Sequence, residues 1–259
     1  MVAALGPQGW AVYDNDPDLT AWLDHVRPRS RELAHRADLR QAWLRHGGTW
    51  FAGVDVLEND EAGRVADGPP LSARALEDAG ALPLHPGQLS VTYPGYPRRD
   101  ADETDAAHGY RLRRDAAHLD GLLPIGAERR RMIREPHAWV LGLPLDPMRA
   151  HQAPLVVWEG SQEILREALR DALRPYAPES WSDVDVTEVY QAARREIFKR
   201  CPRVEITAEP GQAILLHRLS LHGVGPWPEA EHAGHEVSRA VIYFRPLLPG
   251  GIVDWLTLP

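Results

Sequence analysis

The sequence predicts an α+β fold built on one antiparallel β-sandwich. Three observations carry this prediction. Segments run in the order helices, strands, a helical stretch and strands again, which is not a βαβ alternation. Pro (23) and Gly (21) are spread over all 259 residues, punctuation that suits many short strands. The later segments, such as QLSVTY and AVIYF, are rich in β-formers.

Taken in order, Asp16-Pro17 opens a helix with Leu19, Trp22, Leu23 and Val26 on one stripe. A second helix is expected over residues 31–45, ending at Gly47-Gly48. TWFAGVDV (49–56) reads as a strand and residues 59–70 as a polar loop. QLSVTY (88–93) is a strand ended by YPGYP (93–97). Residues 138–145 and 153–158 read as buried strands. Ser161 is placed to cap a helix over 162–173, and Thr187 one over 188–200 with Tyr190, Ala193, Ile197 and Cys201 on one stripe. Strands resume at 203–207, 213–217 and 240–244. One domain over 1–259 is expected, with a helical N-terminal cap over about 1–80, a core over 88–250 and a helical insert over 162–201.

Composition narrows the function. A net charge of −8 argues against a general nucleic-acid binder, which needs a basic stripe. No apolar run is long enough to span a bilayer, and the N-terminus lacks the pattern of a signal peptide, so a cytoplasmic protein is expected. The lone cysteine, Cys201, excludes an internal disulfide and thiolate-rich metal sites, and reads as a packed thiol. Any metal must therefore rest on the twelve histidines and on carboxylates. No GxGxxG after a strand, Walker A loop, GxSxG or HExxH is present.

The informative segment is RRDAAHLDGLL (113–123). In a strand, His118 and Asp120 point to the same face, so imidazole and carboxylate converge. That is the local half of a two-histidine, one-carboxylate triad for non-haem iron. Alone, HxD fits a polar turn at a strand end better than a metal site. About a hundred residues later, EPGQAILLHRLSLHGVGP supplies His217 and His222 after a turn and an apolar strand. Arg239 opens the next strand, SRAVIYFRP, where a buried guanidinium needs an anionic partner.

HxD, a Pro-Gly-initiated strand ending in Leu-His-Gly, and a Ser-Arg strand start together resemble the phytanoyl-CoA dioxygenase family of Fe(II)/2-oxoglutarate-dependent oxygenases. APLVVWEGSQEI (153–164) is similar to a further family stretch, with Trp158-Glu159 and Gln162 in place of the usual residues. HGGTWF (46–51), YPGYP (93–97) and RDAAHLDGLLP (114–124) resemble an uncharacterised bacterial branch. The resemblance covers roughly residues 88–246. It implies a double-stranded β-helix with Fe(II), 2-oxoglutarate and O2, and hydroxylation of a small organic molecule. It assigns His118, Asp120 and His222 to the metal, and Arg239 with Ser238 to 2-oxoglutarate. Arg245 is the fallback, because the spacing from His222 to Arg239 is long and needs an extended loop over 227–236. Tyr93 and Gln88 are further cosubstrate candidates.

His217 competes with His222 and otherwise reads as a packed or supporting histidine. His25, His35, His46, His85, His108, His137, His151, His232 and His235 read as surface or core residues, and ERRRMIRE (128–135) as a solvated helix face. Two alternatives remain open. One is a cupin-like isomerase or a dioxygenase independent of 2-oxoglutarate. The other is a non-catalytic binding domain.

Overall fold

The computed structural model describes residues 5–228 and 238–259. The expected loop over 227–236, with His232 and His235, thus lies largely outside the described residues. The elements are β1 (Trp10–Tyr13), α1 (Pro17–His35), α2 (Ala37–Trp43), β2 (Leu44–Arg45), β3 (Trp50–Phe51), α3 (Arg74–Ala79), β4 (Gln88–Thr92) and α4 (Asp105–Arg114). Then come β5 (Leu122–Ile125), β6 (Arg130–Ile133), β7 (Trp139–Pro144), β8 (Leu155–Trp158), α5 (Ser161–Leu173) and α6 (Thr187–Arg200). The chain ends with β9 (Arg203–Ile206), β10 (Ala213–His217), β11 (His222–Val224), β12 (Arg239–Phe244) and α7 (Gly251–Thr257). Among the described residues no helix is long and apolar enough to cross a membrane.

A seven-stranded sheet in the order β1-β10-β7-β12-β4-β3-β2 faces a small sheet, β11-β8-β9. All pairs are antiparallel. Strand alternation sorts the side chains into layers. Val241 of β12 packs between the sheets with Val140, Leu155, Val157, Ile214 and Leu216. Ala240, Ile242 and Phe244 point the other way, onto Trp22, Val26 and Leu33 of α1. On β8, Leu155 and Val157 face the large sheet, whereas Val156 and Trp158 face Leu165, Leu169 and Ile197 of the α5–α6 insert. Each buried aliphatic side chain of these layers contributes about 1.5–3 kcal/mol relative to exposure.

Local chemistry sets the boundaries. The Asp16 carboxylate accepts from the amides of Asp18 and Leu19 at 3.0 and 3.4 Å, and Pro17 occupies the first turn of α1. The helix runs through Pro28, whose solvent-facing side leaves the lost hydrogen bond open to water, and breaks at Arg36. The expected helix over 31–45 is thus split between the end of α1 and the short α2. The expected strand over 49–56 is reduced to β3, because Gly53 and Asp55 take φ of 39° and 55° and turn the chain away.

Neither predicted capping hydroxyl caps its helix. Gly160 and Val186 hold the cap positions, Ser161 Oγ accepts from the Leu221 amide, and Thr187 Oγ1 accepts from the Arg131 amide. Residues 128–135 correct a further expectation. They do not form a helix face: Arg130–Ile133 is β6, paired with β5 across a turn at Gly126 and Arg129 with φ of 69° and 54°. The consecutive arginines leave no apolar alternation to read: Arg130, Arg131 and Met132 are all half-buried, and only Ile133 is buried.

Candidate metal centre

After α4, Asp115 and Ala116 both take left-handed φ, 53° and 54°, and reverse the chain. The buried Asp115 carboxylate fixes this turn by accepting two hydrogen bonds of 2.8 Å from Arg203. His118 then pairs with His222 of β11 through amide–carbonyl bonds of 2.8 and 3.1 Å, which adds the segment to the small sheet. Between the two candidate ligands, the Leu119 amide donates to Tyr190 Oη at 2.9 Å, and its side chain joins the core against α5 and α6. His118 and Asp120 are left together on the opposite side. Their convergence is that of a strand, although the segment forms only one bridge. Gly223 lies so close that a Cβ there would sit 2.1 Å from the Asp115 carbonyl oxygen.

His118 Nε2 lies 3.4 Å from Asp120 Oδ1, and His222 Nε2 lies 3.7 Å from Asp120 Oδ2. One donor atom from each of the three falls within 4.8 Å of the others. Each imidazole spends Nδ1 on a carbonyl: His118 on Ala116 at 3.1 Å, His222 on Ser220 at 3.0 Å. A carbonyl only accepts, so Nδ1 is the donor in each ring, and both Nε2 atoms face Asp120.

The electrostatics suit a cation. Burial raises the Asp120 pKa, but Arg245, His222 and His118 outweigh it and hold the carboxyl well below the usual carboxylate range. Burial pushes His222 down to about 4, partly offset by Asp120, so its imidazole is neutral. Two imidazoles and one carboxylate are the donor set of a facial metal site. The His118 side chain is 52% exposed, which marks the open side.

Deeper between the sheets, β4 presents Gln88, Ser90 and Thr92, and β12 presents Arg239, Val241 and Tyr243. Arg239 is 1% exposed. Its closest side-chain partners are Thr92 Oγ1 at 3.4 Å and Tyr243 Oη at 3.3 Å, and its Nε has none. No carboxylate among the described residues pairs with it. A buried charge so weakly compensated costs several kcal/mol, and a planar guanidinium matches a carboxylate.

Arg245 follows on the same face. It donates to Asp120 Oδ2 at 3.3 Å and to Gln88 Oε1 at 2.7 Å, and Gln88 donates onward to the Ala52 carbonyl at 2.9 Å. Two histidines grip its backbone. His85 Nε2 accepts from the Arg245 amide at 2.8 Å, and His137 Nδ1 donates to the Arg245 carbonyl at 2.7 Å. Sequence reasoning kept Arg245 in reserve and set both histidines aside. The available signal was parity, since positions 239, 241, 243 and 245 share a face.

Of the other candidates, Gln88 reaches the triad through Arg245. Tyr93 and Ser238 do not. They line a cavity of about 680 Å³ on the outer face of the large sheet, with Arg27, Leu89, Asp146 and Ala240. His217 sits apart from the triad, between the Leu219 amide, from which Nδ1 accepts at 2.9 Å, and Arg166 Nη2, 2.9 Å from its Nε2. His108 bonds the Pro97 carbonyl. Cys201 is half-buried, and burial raises its pKa, which keeps it a thiol.

No protein-family model matches the chain, and no curated protein matches it. Solved structures do. Epimerase SnoN in complex with Fe3+, alpha ketoglutarate and nogalamycin RO is 16% identical, with 100% of this chain and 89% of that chain covered at a TM-score of 0.51. EctD from S. alaskensis with bound Fe is 18% identical, covering 98% and 81% at a TM-score of 0.49. The carbocyclase SnoK from nogalamycin biosynthesis is 14% identical, covering 96% and 85% at 0.48. At such identity the likeness to SnoN speaks for the fold alone. Together with two facing antiparallel sheets, it makes this chain a cupin-like double-stranded β-helix with helical additions.

Proposed function

We propose that this chain is a non-haem Fe(II)/2-oxoglutarate-dependent oxygenase that hydroxylates a C–H bond of a small organic molecule. The observation that carries the reading is the pairing of two features in one sandwich. A triad of two imidazoles and one carboxylate stands at its open end, and the buried Arg239, lacking a carboxylate partner among the described residues, stands deeper inside. SnoN, which shares the fold, is described with Fe3+ and alpha ketoglutarate, and that agrees with the reading.

His118, Asp120 and His222 are the residues that would hold iron, because their free Nε2 and carboxylate atoms converge. Iron with 2-oxoglutarate and O2 supplies an oxidant for an unactivated C–H bond, with release of succinate and CO2. Arg239 binds the far carboxylate of 2-oxoglutarate, with Thr92 and Tyr243 beside the guanidinium. Arg245 keeps Asp120 ionised and oriented. The carboxylate of Asp120 occupies the place that related halogenases leave open for halide, which favours hydroxylation over halogenation.

The test is succinate release from 2-oxoglutarate by purified protein with Fe(II) and O2, together with anaerobic 2-oxoglutarate binding. Turnover that Asp120→Ala abolishes is the expected result. Metal binding without 2-oxoglutarate binding would overturn the proposal in favour of a metalloenzyme that does not use it.

A further inference from the structure

The HGGTWF motif has no part in the centre above, yet it opens a second set of ligand-type side chains. His46, Gly47 and Gly48 all take left-handed φ, 53°, 58° and 85°. The tight turn buries the His46 ring, which is 5% exposed. Trp50 stacks parallel on the imidazole at 5.5 Å, and Tyr96 meets it edge-on at 5.8 Å. Asp100 accepts from the His46 and Gly47 amides at 3.2 and 2.6 Å. Glu103, with a side chain 6% exposed, accepts from Arg111 Nε through Oε1 at 2.6 Å.

Two buried atoms are left without hydrogen bonds: His46 Nδ1 and Glu103 Oε2. Nδ1 stands 3.3 Å from Asp100 Oδ2, close enough for attraction but out of line for a hydrogen bond. Each unsatisfied buried polar atom costs about 1–3 kcal/mol, so two on residues of one cluster require a reason. One donor atom from each of His46, Asp100 and Glu103 lies within 4.8 Å of the others. One imidazole with two carboxylates is a donor set for borderline divalent ions.

We propose that His46, Asp100 and Glu103 form a second metal site, for a divalent first-row cation such as zinc. The ion would satisfy both orphaned atoms. It would also tie the 46–48 turn to the segment leading into α4 and on to His118. Arg111, bonded to the other Glu103 oxygen, holds that carboxylate in orientation. The proposal stands independently of the oxygenase reading.

The experiment is a zinc titration of full-length protein carrying His118→Ala and Asp120→Ala, read by calorimetry and thermal melting. One zinc equivalent and a zinc-dependent rise in Tm are expected. Adding Glu103→Gln, which keeps size and removes charge, is expected to weaken binding at least tenfold and abolish the rise. Should the double variant not fold, wild type is expected to bind two equivalents and Glu103→Gln one. Absence of this equivalent, or an unchanged affinity with Glu103→Gln, overturns the site and makes the cluster a structural polar contact.

Discussion

Arg245 Nη1 lies 3.3 Å from Asp120 Oδ2, while Oδ1 of the same carboxylate faces His118 Nε2 at 3.4 Å. One oxygen thus meets a fixed cation and the other meets an imidazole. The guanidinium is anchored by Gln88 at 2.7 Å, and its backbone by His85 and His137. The candidate metal centre is therefore braced from the large sheet.

Arg245→Gln should weaken metal binding about 10- to 100-fold, the usual effect of removing an outer partner. The loss should depend on pH. Burial raises the Asp120 pKa and Arg245 is its main counterweight, so without Arg245 a proton competes more strongly for the carboxylate. Metal titrations at pH 5.5 and pH 8 check this. A deficit that is larger at pH 5.5 is expected, and an equal deficit at both would mean that Arg245 acts by shape alone.

Arg239→Met should separate binding from stability. Its buried guanidinium has only weak neutral partners, so a hydrophobic replacement should raise the stability of ligand-free protein by about 1 kcal/mol or more. The same change should weaken 2-oxoglutarate binding at least a hundredfold and leave metal affinity nearly unchanged. Arg239→Lys should not rescue it, because one ammonium cannot reproduce the bidentate fork. Thermal melting with and without 2-oxoglutarate reads both effects together.

These residues also show where sequence reasoning reached the site and where it stopped. The i, i+2 argument for His118 and Asp120 holds because one bridge to His222 suffices to keep strand geometry. Arg239 was legible as an inward charge on an apolar strand. Ser238 was chosen as the neighbour of Arg239, and Tyr93 for lying on a strand expected beside the His118–Asp120 segment, but each differs in parity from the inward residues Gln88 and Arg239, so each faces the other side. His85 and His137 were not legible, because their partner is the backbone of Arg245, far away in the chain. The β5–β6 hairpin was not legible because Arg130, Arg131 and Met132 are all half-buried, which leaves no strand period in β6. Local periodicity fixed most elements, whereas contacts between distant segments decide what a charged residue does.

Acid should destabilise the metal-free protein through two buried histidines. The His217 pKa is pushed down to about 3, first by burial and then by Arg218 and Arg166, and that of His222 to about 4 by burial. Both pKa values lie below the unfolded value of about 6.5, so the unfolded chain binds more protons than the native one below pH 6.5. Stability contributed by the neutral rings is complete above pH 6.5. It is lost as pH falls, by about 1.4 kcal/mol per pH unit per ring, down to about 4 for His222 and about 3 for His217. Urea unfolding at pH 7, 5.5 and 4.5 measures the slope. His217→Asn should reduce the slope by one proton's worth, and an unchanged slope would assign the acid sensitivity to other groups.

Gly223→Ala should destroy the metal centre without touching a ligand. A Cβ at this position would stand 2.1 Å from the Asp115 carbonyl oxygen and 3.1 Å from the Ala117 amide nitrogen. Both neighbours are backbone, so no side-chain rotation relieves the clash. The strands must part, and the parting falls where Val224 N donates to Asp115 O at 2.8 Å and His118 pairs with His222. The segments that carry His118 and His222 are held together by that seam, so a shift of about 1 Å there is enough to lose the geometry of the proposed centre. Metal affinity should fall by two orders of magnitude or more, while the distant contacts of α1 with the large sheet persist. Circular dichroism and metal titration of the variant check both parts. Wild-type metal affinity in a folded Gly223→Ala protein would show that the seam is not what aligns His118 with His222.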